Sequence, residues 1–225
     1  MSLRFYIVAE GNTDQAVIQN ILLGYFGGQV TASDIEWISP RYIQEKGPHE
    51  KDRGTWERVF QYLRAGDYRE TLQFPGYLVV QVDTDVSTHV NFGVAHQEPA
   101  TGQKRTPEEL VTAVRERLKR EMAAGDWELV GARLLFAIGV HETQCWLTPL
   151  VADGVRQKAI TGCDHAVQQG ISDRNLRREF GLKEVRAYDV VSSPFRKKKE
   201  LAAATRKQRS LAMFLEELGR VELDK

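Results

Sequence analysis

The sequence lacks several features that would assign it to a membrane or secreted class. No apolar run reaches the length of about 20 residues that a transmembrane helix needs. The apolar run at residues 3–9 is short and is followed at once by Glu-Gly, which is not a signal-peptide pattern. The formal net charge is zero, because 31 Lys and Arg balance 31 Asp and Glu. We therefore expect a cytoplasmic protein with no membrane partner, in which any basic surface arises from local clustering.

Cysteine is scarce, with only Cys145 and Cys163, and neither belongs to a CxxC pair. This excludes a disulfide framework and gives no indication of a zinc or thioredoxin-type site. A chain of 225 residues buries roughly 70% of its unfolded surface, so it needs neither a disulfide nor a structural metal to fold. We predict two reduced thiols, as is usual in the cytosol.

Known nucleotide-binding loops are absent as well. The sequence contains no GxxxxGK[ST] and no GxGxxG, so an ATPase or a dinucleotide-binding enzyme is not indicated. His89, His96, His141 and His165 show no HxH or HExxH spacing. Among these four, only His141, beside Glu142, lies near residues with predicted chemistry.

Strand-like runs alternate with helical patterns along the first two thirds of the chain. The spacing of apolar residues predicts strands at 3–9, 35–38, 77–82 and 134–140, and helices at 13–26, 55–72 and 106–125. Thr106-Pro107-Glu108-Glu109 is a strong helix start. Polar residues 44–54 and 86–105 predict loops. The pattern indicates an α/β fold with a mostly parallel sheet flanked by helices.

The last third of the chain is mainly helical. We predict a short helix capped by Ser172-Asp173 and ending at Phe180, an edge strand at 188–191, and one long helix at 196–218. The resulting division is an α/β domain at residues 1–150 and a helical C-terminal extension at 151–225, packed on that domain.

Acidic residues follow two of the predicted strands. Glu10 and Asp14 come after the first strand, and Asp83 and Asp85 come after the third. In open α/β sheets, ligands bind beyond the carboxyl ends of the strands. Mg²⁺ takes oxygen ligands and is usually held by one or two carboxylates with substrate phosphates, whereas Zn²⁺ would favour His or Cys. The pattern therefore predicts a site for Mg²⁺ or Mn²⁺ and a phosphate ester.

These motifs resemble those of the Toprim domain. Glu10-Gly11-Asn12-Thr13-Asp14 followed by Asp83-Thr84-Asp85 is similar to its pattern of a Glu after the first strand and Asp-x-Asp after a later one. The resemblance covers residues 3–90 and extends in weaker form to about residue 140. The segment from Glu142 to Leu147 resembles the Glu-x-x-x-Trp-Leu segment of small stand-alone Toprim-like proteins, which often occur near ATPases in bacterial defence islands.

The resemblance assigns roles residue by residue. It implies that Glu10 is a general acid/base or a metal ligand and that Asp83 and Asp85 hold Mg²⁺ or Mn²⁺. Asp14 would be a further ligand, and Glu142 a further acid near the same edge. The chain lacks the additional domains with which a topoisomerase supplies its tyrosine, and it lacks a primase zinc module. Metal-dependent hydrolysis is the simplest chemistry that remains.

A basic segment near the C-terminus supplies the local positive charge. Seven cations lie within fourteen residues: Arg196, Lys197, Lys198, Lys199, Arg206, Lys207 and Arg209. Such a segment either contacts a phosphate backbone or forms a solvated helix face. On the first interpretation, Lys207 is the first choice for stabilising charge on a leaving group.

The sequence therefore predicts a Mg²⁺-dependent nuclease or phosphodiester hydrolase in bacterial defence or in DNA or RNA processing. Two alternatives stay open. One is a catalytically silent Toprim-like module that binds a ligand or a partner protein such as an ATPase. The other is a small-molecule phosphotransferase or phosphatase.

Overall fold

The computed structural model describes residues 3–39, 55–180 and 185–222. Its sheet has four parallel strands in the order β2-β1-β3-β4, consistent with a Toprim-like fold. They are β1 (Phe5–Val8), β2 (Ile35–Ser39), β3 (Tyr77–Asp83) and β4 (Leu134–Gly139). The α/β class and the parallel sheet predicted from the sequence are confirmed. The loop predicted at residues 44–54 lies outside the described residues.

Helices connect the strands and form the C-terminal third. They are α1 (Asn12–Phe26), α2 (Trp56–Ala65), α3 (Tyr68–Thr71), α4 (Pro107–Glu121), α5 (Asp126–Val130), α6 (Gln144–Val151), α7 (Cys163–Asp173), α8 (Leu176–Phe180), α9 (Val185–Ser192), α10 (Lys198–Thr205) and α11 (Arg209–Leu218). Single 3₁₀ turns at Gly154–Lys158 and Ser193–Arg196 precede α7 and α10.

The sheet is buried on both faces, as its near-continuous apolar strands require. Phe5 and Ile7 of β1 belong to a core shared with α1, α6 and the C-terminal helices α7 to α11. Tyr6 and Val8 point the other way, into a core shared with α2 and α4. The C-terminal helices thus pack on one face of the sheet, mainly through α1 and β4. The division at residue 150 stays a prediction.

Three predicted elements and one predicted helix cap are wrong. The helix predicted at 55–72 is two helices, because Gly66 takes a left-handed conformation, with φ of 76°, and ends α2. The predicted strand at 188–191 lies in helix α9. The short helix predicted to end at Phe180 is present as α8, but Ser172 and Asp173 do not cap it; they are the last residues of α7, a helix that was not predicted.

The long helix predicted at 196–218 is also interrupted. It is a 3₁₀ turn followed by α10 and α11, and the chain leaves the helical path at Gln208. The buried Gln208 side chain donates to Thr148 Oγ1 and to the carbonyl oxygens of Gln157 and Ala159. These bonds satisfy backbone carbonyls of another segment, so the break is fixed by tertiary structure.

The two cysteines are not free thiols, contrary to the prediction. Cys145, in the first turn of α6, and Cys163, the first residue of α7, form a disulfide. The bond joins two helices that pack against each other.

Within the described residues, no helix combines the length and the apolar character that crossing a membrane requires.

Candidate metal centre

The carboxyl ends of β1 and β3 bring Glu10 to Asp83. The two strands are neighbours, with Val8 paired to Val80, so the residues just beyond them meet at the same edge of the sheet. The Asp83 N–H donates to Glu10 Oε1 at 2.6 Å, and the Glu10 N–H donates to Gln81 Oε1 at 2.9 Å. The predicted convergence of the two motifs is therefore present in the fold.

Asp83 is held in place by three hydrogen bonds to one oxygen. Its Oδ1 accepts from Gln81 Nε2 at 2.9 Å, from the Thr143 N–H at 2.9 Å and from Thr143 Oγ1 at 2.8 Å. Thr143 Oγ1 also accepts from Gln81 Nε2 at 2.9 Å. Among the described contacts all of the hydrogen bonds to this carboxylate end on Oδ1, which leaves Oδ2 as the oxygen available for a ligand.

Gly139 makes room for this arrangement. It pairs with Asp83 across β3 and β4, and a Cβ at Gly139 would lie 2.3 Å from Asp83 Oδ1 and 2.8 Å from the Thr143 nitrogen. Real Cβ contacts are not that short, so any side chain at this position displaces the carboxylate or the loop. The glycine at the end of β4 therefore allows Asp83 to take the position described.

Asp14 and Asp85 complete a group of four carboxylates. Asp14 lies in the first turn of α1, where acidic side chains are favoured by the helix dipole, and it is buried. Asp85 follows β3 and is exposed; its Oδ1 accepts from the Val86 N–H at 2.8 Å. We call Glu10, Asp14, Asp83 and Asp85 the carboxylate edge.

Three carboxyls of the carboxylate edge have raised pKa values. Burial raises the pKa of Glu10 to about 8, and the charges of Asp14 and Asp85 add to the effect. Burial likewise raises the pKa of Asp14 to about 7, although hydrogen bonds from Thr143 and from nearby backbone partly offset it. The pKa of Asp83 is raised well above its ordinary value by burial and by the charges of Asp14 and Glu10. Such a group favours either bound protons or a cation.

The donor chemistry of the carboxylate edge suits a hard divalent cation, since all four side chains offer oxygen. In their present positions, however, no group of three or more His, Cys, Asp or Glu side chains among the described residues is arranged to hold a metal ion. The residues therefore fit the ion in chemistry and charge, but not in their present spacing.

Glu142 and Lys207 lie in other contacts. Glu142 is half-buried, and its Oε2 accepts from the Asp164 N–H at 3.2 Å, at the start of α7. Lys207 Nζ donates to Gln157 Oε1 at 2.5 Å. Glu142 therefore has a structural contact at the same edge of the sheet. Among the described contacts, Lys207 has none with the carboxylate edge.

Residues of the basic segment that have described contacts also lie away from the carboxylate edge. Arg196 Nε donates to Asn20 Oδ1, and the Lys198 side chain lies beside Gly27. Gly27 follows Asp14 by thirteen residues, which is about 20 Å along a helix. Arg196 and Arg209 are further engaged in ion pairs, with Asp189 and with Glu108 and Glu216 respectively. Lys197, Lys199 and Arg206 are exposed.

Sequence reasoning missed the two residues that organise the site, Gln81 and Thr143. A signal existed for Gln81, because a fully buried polar side chain inside an apolar strand needs partners. Thr143 lies within the segment compared with Toprim-like proteins, but only the fold shows that its backbone and hydroxyl both reach Asp83. No pattern of spacing would have identified it.

A pair of histidines adjoins the carboxylate edge. His96 Nε2 lies 2.7 Å from the Thr84 carbonyl oxygen, and the His141 N–H donates to Thr84 Oγ1 at 2.7 Å. The two rings are 5.3 Å apart. Burial and the neighbouring His96 lower the pKa of His141. Of these two histidines, only His141 was predicted from the sequence to lie near the site.

The chain matches no protein-family model, no curated protein and no solved structure in the comparisons made. The Toprim resemblance therefore stays a prediction based on the two acidic motifs and a compatible fold.

Proposed function

We propose that the protein is a metal-dependent phosphodiester hydrolase of Toprim type that acts on nucleic acid. The observation that carries the proposal is the carboxylate edge, in which four acids converge beyond β1 and β3, and burial and neighbouring charge raise the pKa of three of them, Glu10, Asp14 and Asp83. Structural carboxylates are normally paired with a cation or left in water, so an edge of this kind is costly unless it has a function.

Glu10, Asp83 and Asp85, with Asp14, would hold Mg²⁺ or Mn²⁺. When bound, such an ion lowers the pKa of a water molecule and neutralises charge on a scissile phosphate. The chain itself supplies the orientation. Thr143 and Gln81 fix Oδ1 of Asp83. Alternatively, Glu10 would not bind the ion; with its pKa raised to about 8 by burial, it would keep a proton near neutral pH and would be suited to general acid/base work.

Nucleic acid is the partner that this chemistry implies, and the exposed cations Lys197, Lys199 and Arg206 supply a second contact area. A partner ATPase and a cytoplasmic location are further parts of the proposal. The disulfide counts against the cytoplasmic part of this proposal, because such bonds are rare in the cytosol.

The direct test is cleavage of labelled DNA and RNA, single- and double-stranded, with Mg²⁺ or Mn²⁺. We expect activity that EDTA abolishes and that Glu10→Gln and Asp83→Asn each lower by about 10²-fold or more. Glu128→Gln, at an exposed position on α5, is the matched control and should retain full activity. Equal activity in all four proteins would point to a contaminating nuclease and refute the proposal.

One observation favours a second candidate, a catalytically silent binding module. The described carboxylates are not arranged around a common ion position, and Glu10 and Asp83 accept hydrogen bonds from the protein itself. A silent module would bind its ligand or partner without divalent ions. Metal titration separates the two candidates, because only the hydrolase requires binding that depends on Asp83 and Asp85.

A further inference from the structure

A cavity of about 600 Å³ lies beside the carboxylate edge. It is bounded by the loop that follows Asp85, by the end of β4 and by the residues before α7. Its volume falls within the range of about 300–1,000 Å³ that is usual for small-molecule sites. The proposed hydrolysis assigns no role to this cavity.

The lining of this cavity combines positively charged and apolar side chains. Lys104, Arg105, His96 and His141 contribute the cations and imidazoles, and among the described lining residues there is no Asp or Glu, although Arg105 also pairs with Glu98 at 3.3 Å. The apolar lining, which we call the Ile160 wall, consists of Pro107, Leu110, Val140 and Ile160. Ile160 is 42% exposed and offers apolar surface to a ligand in the cavity.

The cavity is tied to the carboxylate edge through Thr84, the residue between Asp83 and Asp85. Its carbonyl accepts from His96 Nε2, its hydroxyl accepts from the His141 N–H, and the Asp85 N–H donates to the His141 carbonyl at 3.0 Å. A carbonyl oxygen only accepts, so Nε2 of His96 carries the proton and, in the neutral ring, Nδ1 is an acceptor.

His141 also has a left-handed backbone, with φ of 60°. A non-glycine residue keeps this conformation only where its surroundings impose it, and such residues concentrate at functional sites. Here the conformation places the ring in the cavity wall while the backbone holds the Asp-x-Asp segment. The cavity and the carboxylate edge are therefore built as one unit.

We infer that this cavity is a nucleotide subsite: a phosphate lies against Lys104 and Arg105, and the base or sugar lies against the Ile160 wall. The inference rests on the proposed function, for which it supplies the position of the nucleotide next to the scissile bond. Two sources share this chemistry, a free mononucleotide and one unit of a longer strand.

The test is equilibrium binding in EDTA, where hydrolysis does not proceed. The probes are adenosine 5′-monophosphate, a 5′-phosphorylated single-stranded octanucleotide and inorganic phosphate. We expect Lys104→Ala/Arg105→Gln to raise the Kd of the nucleotide ligands about tenfold or more, because it removes both charged donors. Arg178→Gln/Arg186→Gln, which removes two exposed cations from α8 and α9, should leave the Kd unchanged.

A second variant protects the test against misfolding. Ile160→Asp places a like charge beside the phosphate at a partly exposed position, so it should weaken nucleotide binding while the melting temperature stays near that of the wild type. Tighter binding of the octanucleotide than of the mononucleotide would identify a strand as the source.

Three results would overturn the inference. They are the absence of saturable binding to the wild type at millimolar ligand, equal affinity in the pocket variants, and inorganic phosphate binding as tightly as the mononucleotide. The proposed function and the subsite can fail separately. If the protein binds the nucleotide but cuts no nucleic acid, the proposed hydrolysis is wrong and the subsite stands. If the pocket variants cut nucleic acid with the KM of the wild type, the subsite is wrong and the hydrolysis stands.

Discussion

At the scale of single residues, the site depends on how a few polar side chains share their hydrogen bonds. Thr143 is fully buried, and it joins the segment between β4 and α6 to Asp83. Its hydroxyl both donates to Asp83 and accepts from Gln81. Replacing it with an isosteric apolar residue leaves two buried polar groups with fewer partners.

We therefore predict that Thr143→Val lowers the free energy of unfolding by about 1–3 kcal/mol. Metal-dependent activity should fall about 10–100-fold, because the orientation of Asp83 is lost. Thr143→Ser keeps the hydroxyl and should recover most of the activity. Chemical denaturation and initial cleavage rates measure the two effects; a fully active Thr143→Val would show that the hydroxyl does not position Asp83.

The carboxylate edge also makes stability depend on pH. The pKa values of Glu10 and Asp14 are raised in the folded state to about 8 and about 7. Between the ordinary carboxyl pKa, about 4, and these values, the folded protein binds more protons than the unfolded chain. The contribution of these two groups to the free energy of unfolding in EDTA should therefore be greatest below about pH 4 and should be lost as pH rises toward 8.

This dependence is checked by comparing thermal unfolding at pH 5 and pH 8. Glu10→Gln/Asp14→Asn should lose less stability between the two pH values than the wild type does. A divalent cation should stabilise the wild type more at pH 8, where the carboxyls would otherwise carry unbalanced charge. Parallel pH profiles for wild type and variant would contradict the assigned pKa shifts.

At the scale of secondary-structure elements, the spacing between neighbouring strands determines the position of the Asp83 carboxylate. β3 and β4 approach closely where Asp83 faces Gly139. We predict that Gly139→Ala lowers the free energy of unfolding by about 1–3 kcal/mol through overpacking. Activity should fall as well, since Asp83 Oδ1 would be displaced.

The matched control for Gly139→Ala is Gly28→Ala, where an added Cβ meets no atom within 4 Å. It should leave both stability and activity near the wild-type values. Denaturation midpoints and cleavage rates for the pair are the measurement. Equal behaviour of the two variants would mean that the β4 end tolerates a side chain and that Asp83 is not held as described.

The sequence was a good guide to elements whose cause is local. Apolar runs gave the four strands within one or two residues, and Thr106-Pro107-Glu108-Glu109 gave the start of α4, where Thr106 and Glu109 form a capping box. Both motifs of the carboxylate edge were also readable, because their position at strand ends follows from the order of the elements.

Elements fixed by distant contacts were not readable. The β-branched residues of α9 suggested a strand, yet Ala187, Tyr188 and Val191 are buried at helical spacing against α1. The break between α10 and α11 depends on Gln208 and its carbonyl partners in a different segment. Thr143 and the histidine pair likewise required the three-dimensional structure.

At the scale of the whole molecule, the C-terminal helices are joined to the site by the Cys145–Cys163 disulfide, which spans 18 residues. Closing a loop of this length stabilises a protein by about 3 kcal/mol in the chain-entropy account. We predict that reduction lowers the free energy of unfolding of the wild type by about that amount. Cys145→Ser/Cys163→Ser should not respond to reductant.

Urea denaturation with and without a thiol reductant measures this effect, and alkylation followed by mass measurement establishes the bond directly. Protein purified under non-reducing conditions should resist alkylation until it is reduced. Two freely alkylated cysteines in the native protein would contradict the disulfide and restore the expectation of reduced thiols.

The central claim is that the carboxylate edge is a divalent-cation site, and calorimetric titration of Mn²⁺ at pH 7.5 tests it most directly. We predict saturable binding by the wild type and by Glu128→Gln, with binding abolished by Asp83→Asn/Asp85→Asn while the fold is retained. If the wild type binds no Mn²⁺, or if the double variant binds it equally well, the carboxylate edge is not a metal centre.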